Sequence, residues 1–218
     1  MAKHGRWAHT IFDLDGTLVD TAEDIAAALN YALAQNGWKT YAVQDIRAMI
    51  GEGARRLVEQ ALPDATPAEH DKVLADFLAH YRAHVAERSR VYPGIAKVLR
   101  ELQQAGVAAT VLTNKPVSLS EAILRRFGLR DYLVAVCGGD TLPQRKPDPA
   151  GVFYLCALVG SRREESILVG DSGIDRDTAA RAGIAFCAAL WGYRAAELCE
   201  APLRARTPED LLGLLLAE

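Results

Sequence analysis

His9-Thr10-Ile11-Phe12-Asp13-Leu14-Asp15-Gly16-Thr17 is the stretch on which the fold of this chain turns. The apolar segment from His9 to Leu14 reads as a short buried strand, and it runs straight into two carboxylates two residues apart on a glycine turn. Side chains alternate along a strand, so positions two apart leave it on the same side. Two like charges that close repel unless a cation sits between them or one of them stays protonated. A hard divalent ion such as Mg2+ is the usual partner, because it takes one or two carboxylates together with substrate phosphate oxygens. The plainer alternative is a polar turn that caps the helix behind it.

Downstream of this turn the pattern is helical. Ile25, Leu29 and Leu33 recur at helical spacing and stop at Gly37. A second apolar stripe (Ile46, Ile50, Leu57, Val58, Ala61) covers Val43 to Leu62, and Gly51 and Gly53 predict a break inside it. Thr66, Pro67 and Glu69 form a capping box for a third helix, whose stripe is Val73, Leu74, Phe77, Leu78, Tyr81 and Val85.

After Tyr92-Pro93-Gly94 strands and helices alternate. Strands are predicted at Val107–Thr113, Leu133–Cys137, Ser166–Val169 and Ile184–Ala188. Between them lie helices ending at Gly106, Gly128, Gly160 and Gly183, the second of them capped by Ser118 and Glu121. Thr207-Pro208-Glu209-Asp210 opens a last, leucine-rich helix. Such alternation predicts an α/β fold, a doubly wound and mostly parallel sheet. The expected organisation is an α/β core of residues 1–19 and 89–218, with an all-helical insertion of residues 20–88.

Bulk composition narrows the function. Half of the 218 residues are hydrophobic, 24% are charged, and the net charge of -3 gives no electrostatic reason to expect nucleic acid or an anionic membrane as partner. No apolar run approaches the roughly 20 residues that span a bilayer, and residues 1–7 carry no apolar leader segment. Cys137, Cys156, Cys187 and Cys199 lack C-x-x-C spacing and mostly sit in apolar segments, which predicts free buried thiols and a cytoplasmic protein.

In open parallel sheets ligands bind beyond the carboxyl ends of the strands, and the polar signals fall there. The first strand ends in Asp13 and Asp15, the second in Thr113-Asn114-Lys115, and a later one in Gly170-Asp171-Ser172 with Asp175 four residues after Asp171. Lys146-Pro147 follows the strand that ends at Cys137. Four acids, a hydroxyl, an amide and a lysine at one edge suit a phosphoryl group held with a cation. One aspartate can then serve as nucleophile and a second as general acid and base.

These four motifs, Asp13-Leu14-Asp15-Gly16-Thr17, Thr113-Asn114, Lys146-Pro147 and Gly170-Asp171-Ser172 with Asp175, resemble those of the haloacid dehalogenase-like superfamily of phosphohydrolases. The resemblance implies that Asp13 is the nucleophile and Asp15 the general acid/base. It implies Mg2+ held by Asp13, the backbone carbonyl of Asp15 and Asp171, phosphate held by Thr113, Asn114 and Lys146, and Asp175 supporting Lys146 or a metal-bound water. The helical insertion is similar to the family's α-helical cap.

An acid at position 15 argues against haloacid dehalogenase chemistry, and the lack of a lysine after Gly53 against phosphonoacetaldehyde hydrolysis. Ile50-Gly51-Glu52-Gly53-Ala54 and Trp191-Gly192-Tyr193 look most like the phosphoglycolate phosphatase branch, although the lysine motif, Lys146-Pro147-Asp148-Pro149, is shorter than is usual there. The resemblance therefore implies a small phosphorylated substrate, with 2-phosphoglycolate first. Arg55 and Arg56 are candidates for its carboxylate, the alternative for both being a solvated helix face. A phosphotransferase or phosphomutase, or a pyrophosphatase, would use the same aspartyl-phosphate.

Overall fold

Side-chain alternation in the first strand sets the layering of the whole molecule. The computed structural model describes residues 6–217, so the expectation about a leader lies mostly outside the described residues. Strand β1 (His9–Phe12) is followed by β2 (Val19–Asp20), α1 (Ala22–Gln35), α2 (Val43–Met49), α3 (Ala54–Ala61), α4 (Pro67–Ala83) and β3 (Arg90–Val91). Then come α5 (Ile95–Gln104), β4 (Ala108–Leu112), α6 (Val117–Arg126), β5 (Ala135–Cys137), α7 (Ala150–Val159), β6 (Ser166–Gly170), α8 (Gly173–Ala182), β7 (Ala185–Ala189), β8 (Leu203–Ala205) and α9 (Asp210–Leu215). Six strands form one parallel sheet in the order β5-β4-β1-β6-β7-β8.

Phe12 pairs in register with Val111 and Val169. These three share a face with Leu99 of α5, Ile123 of α6 and Leu211 of α9. Ile11 points the other way, into Leu112, Leu168, Val152 of α7 and Ala179 of α8. Helices on both faces explain why β1 is apolar at successive positions instead of alternating. The chain winds outward from β1 through β4 to β5, then returns to β6 beside β1. The carboxyl ends of β1, β4 and β6 flank the point where winding reverses, the usual crevice of such sheets.

The helices α1–α4 build a separate apolar cluster, with Leu29, Leu33, Ile46, Val58 and Phe77 at its centre. Thr66 and Glu69 cap α4 reciprocally, as the sequence predicts. The breaks at Gly51 and Gly53 separate α2 from α3, and both glycines have positive φ, +133° and +91°. The two chain crossings into this helical segment pair as an antiparallel ribbon, β2 with β3. Asp24 fastens them further, accepting from Arg88 N at 2.9 Å, from Ser89 N at 2.8 Å and from the Ser89 hydroxyl.

Two local expectations are corrected, and one strand appears that the sequence did not predict. The Ser118–Glu121 capping box does not form: α6 starts at Val117, whose N–H donates to Asp140 Oδ1 at 2.7 Å, and Glu121 pairs with Arg130 instead. A distant acceptor has displaced the local one. The sixth strand, β8, has only three residues (Leu-Arg-Ala) and carries no strand pattern of its own. All four cysteines are free, but Cys199 is exposed whereas the other three are buried. No helix among the described residues is long and apolar enough to cross a membrane.

His9 lies at the opposite end of the sheet from the acidic turn. It is fully buried, with Nδ1 2.9 Å from Ser161 Oγ and Nε2 2.8 Å from Thr110 Oγ1. Burial pushes its pKa down to about 4. A histidine titrating near 6.5 when unfolded and near 4 when folded must take up its proton on unfolding as the pH drops. Its stability contribution is intact above pH 6.5 and is lost as pH falls towards 4. Urea unfolding at pH 7 and at pH 4.5 should therefore show a drop about 2 kcal/mol larger in the wild type than in His9→Gln. Equal drops would contradict this placement of the imidazole.

Candidate active site

The strand β1 delivers Asp13 to the switch point, where its N–H continues the ladder to Val169 O at 3.0 Å. Gly16 turns the chain sharply away with φ +85°. A side chain there would strike Asp171, since a Cβ would lie 2.3 Å from Asp171 Oδ2. Gly192 is equally constrained, as its Cβ would lie 2.1 Å from the Asp171 Cβ. Backbone thus closes on Asp171 from two sides, and only glycine permits it.

Asp13 is buried, and its Oδ1 accepts from Leu14 N at 2.7 Å and pairs with Lys146 Nζ at 2.9 Å. The same ammonium reaches Asp175 Oδ1 at 2.6 Å. Asp175 is held by the reciprocal cap at the start of α8, where its other oxygen accepts from Ser172 N at 3.2 Å and from Ser172 Oγ at 2.6 Å. Asp171 leaves β6 beside them and accepts from Tyr193 N at 2.6 Å and from Thr17 Oγ1 at 3.3 Å. Asn114 ties three segments together. Its Oδ1 accepts from Lys146 N at 3.0 Å, while its Nδ2 donates to Lys146 O at 3.1 Å and to Gly51 O of the helical segment at 3.0 Å. Thr113 is buried alongside.

The acids are crowded. Burial pushes the Asp13 carboxyl up to about 7, with Lys146 opposing and Asp175 adding to the rise. Burial also lifts Asp171 well above the carboxylate range, and Asp175 and Asp13 lift it further. Burial works against the Lys146 ammonium, yet Asp13 and Asp175 more than offset it and keep it charged. One lysine does not compensate three buried carboxylates. Oxygens of Asp13, Asp171 and Asp175 lie within 4.8 Å of one another, the one group among the described residues with the composition and spacing to take a metal ion. An all-oxygen set of this kind suits a hard divalent cation.

Asp15 faces differently. Its carboxylate accepts from Thr21 Oγ1 at 2.6 Å and from Lys115 Nζ at 2.9 and 3.0 Å, outside the three-acid group. The sequence places Lys115 at this strand end, directly after Thr113-Asn114, without assigning it a role. A lysine two positions beyond Thr113, at the carboxyl end of a strand, was the available signal.

The structure places Arg55 and Arg56 apart from these residues. Both are exposed on α3, Arg55 paired with Asp71 and Arg56 with Glu59 at 3.3 Å. Leu57, Val58 and Ala61 occupy the buried face of α3 and turn positions 55 and 56 outward. Asp177 also lies apart, half-buried and bonded to Arg176 at 3.0 Å. His80 and His84 stack on the helical segment with ring centroids 4.3 Å apart, away from the acids.

A model of the haloacid dehalogenase-like hydrolase family matches residues 10–189 of the chain. A phosphoglycolate phosphatase of Cereibacter sphaeroides is 43% identical over 199 residues, covering 88% of this chain and 89% of that protein. One from Mesorhizobium japonicum is 37% identical over 84% of this chain and 82% of its own length. Among solved structures, that of a predicted phosphoglycolate phosphatase from Haemophilus somnus superposes with a TM-score of 0.90 at 29% identity. It covers 96% of this chain and 98% of that one.

Proposed function

The chain belongs to the haloacid dehalogenase-like hydrolase family, and on that premise we propose that it is a Mg2+-dependent phosphatase that hydrolyses 2-phosphoglycolate through an aspartyl-phosphate on Asp13. One observation carries the reading: Asp13, at the end of β1, shares a buried lysine with Asp175 and lies within reach of Asp171. The relatives named above supply the substrate.

Asp13 Oδ attacks phosphorus as the bond from phosphorus to the ester oxygen breaks, and Asp15 gives its proton to the departing alkoxide. Asp15 then takes a proton from water, whose oxygen displaces Asp13 from phosphorus and releases inorganic phosphate. Thr21 and Lys115 hold Asp15 in place for both transfers. Lys146 and Thr113 face the phosphoryl oxygens, and Asn114 fixes the loop that carries Lys146. Asp13, Asp171 and the Asp15 carbonyl would hold Mg2+, which supplies positive charge against the phosphoryl oxygens. Residues 20–88 act as a cap over the site, with Ile50, Leu57 and Phe77 turned into it and excluding water from the phosphoenzyme. Free cysteines and the modest negative charge support a cytoplasmic setting.

Phosphate release measured on 2-phosphoglycolate, sugar phosphates, pyridoxal phosphate and pyrophosphate tests the reading. Release should need millimolar Mg2+, stop with chelator, and favour 2-phosphoglycolate by at least about tenfold. Equal release with and without metal, or phosphate passed to an added sugar instead of water, would overturn it.

A further inference from the structure

A cavity of about 40 Å3 lies between the strand ends and the helices above them. Asp13, Asp15 and Thr113 form its floor, while Ile25, Ile50, Leu57, Phe77, Leu78 and Leu119 make most of the remaining wall apolar. Three polar side chains interrupt that wall: Asn114, whose amide is already bonded to Lys146 and Gly51, Tyr81 from α4 and Lys115 from the loop after β4.

Tyr81 and Lys115 are both buried, and they lie side by side. Tyr81 is 2% exposed, and nothing among the described residues accepts its hydroxyl proton, since the neighbouring Lys115 ammonium can only donate. Such a hydroxyl in an apolar wall is unfavourable until something accepts its proton. Burial pushes its pKa up to about 12, so it stays a donor. Lys115 pairs with both Asp15 oxygens, and its Nζ sits 4.7 Å from the centre of the Tyr81 ring, beside the hydroxyl. Among the residues that line the cavity it is the only cation. A substrate negative at both ends has Lys146 for its phosphate. Its other end has no partner in Arg55 or Arg56, which point to solvent.

We propose that the Tyr81 hydroxyl and the Lys115 ammonium receive the carboxylate at the far end of the substrate, and that this pair distinguishes a short phosphorylated hydroxy acid from a phosphate ester that carries no carboxylate. The proposal rests on the phosphatase reading above. Each partner comes from a different part of the chain, α4 and the end of β4, so the carboxylate completes the contact between them. The hydroxyl donates to one carboxylate oxygen and the ammonium pairs with the other, while Asp15 stays within reach of the ester oxygen.

The test compares 2-phosphoglycolate with ethyl phosphate, in which a methyl group replaces the carboxylate, using the Mg2+-loaded enzyme. Wild type should favour 2-phosphoglycolate strongly in kcat/KM. Tyr81→Phe removes one oxygen and keeps the ring, and it should shrink that preference about tenfold or more, mainly through KM. Lys115→Met should shrink it further, whatever it does to Asp15, because the ratio cancels losses common to both esters. An unchanged ratio in Tyr81→Phe, or a wild type that turns over both esters equally, overturns the inference while leaving the phosphatase chemistry intact. A wild type that releases phosphate from neither ester sinks the phosphatase reading itself, and this inference with it.

Discussion

Asp13→Asn should lower turnover by about 10⁴-fold or more while leaving the protein folded, because the amide keeps the shape of the carboxylate and loses its nucleophilic oxygen. The substitution also removes one charge from a crowded buried group. Burial is the main cause of the raised Asp13 pKa, with Lys146 only partly opposing it. The neutral amide avoids that desolvation, so the metal-free variant should melt above the metal-free wild type. Activity and melting temperature therefore move in opposite directions. A variant that loses both would place Asp13 in the structure and not in the chemistry, and near-normal turnover would remove it from the mechanism.

Lys146→Met carries the second large effect, and here activity and stability fall together. The lysine bridges Asp13 at 2.9 Å and Asp175 at 2.6 Å, with almost no access to water. Taking it away leaves two buried carboxylates facing each other with nothing between them. Breaking a buried pair in this way typically costs about 3–5 kcal/mol, which urea unfolding in the presence of chelator would read directly. Loss of a donor to the phosphoryl oxygens should lower kcat/KM by about 10²–10³-fold. Wild-type stability in the variant would mean that the acids are neutral without the lysine, contrary to the charged pairing described here.

The site was legible in the sequence wherever function lies at the end of a strand. Asp13, Thr113 and Asp171 follow directly from apolar segments, and the parallel sheet that those segments form brings them together whatever the loop lengths. Lys146 and Asp175 lie in the segments that follow β5 and β6, and the structure joins them in one ion pair. Tyr81 was hidden because it sits in the α4 stripe with Val73 and Phe77, and a stripe reports burial without saying what a hydroxyl meets. Arg55 and Arg56 are placed by a related effect. Proximity to Gly51 and Gly53 in sequence suggested the site, but the helical phase of Leu57 and Val58 decides which way an arginine points. The missing cap on α6 and the short β8 are both set by distant partners, Asp140 in one case and β7 in the other. Local sequence carries no trace of either.

Acid quenching of the enzyme during steady turnover of 2-phosphoglycolate with Mg2+, followed by mass spectrometry of its peptides, tests the central claim most directly. A phosphoryl group on the peptide that holds Asp13, absent from Asp13→Asn, is the predicted result. Full turnover with the phosphoryl group on another residue, or with no phosphoenzyme at saturating substrate, would contradict it.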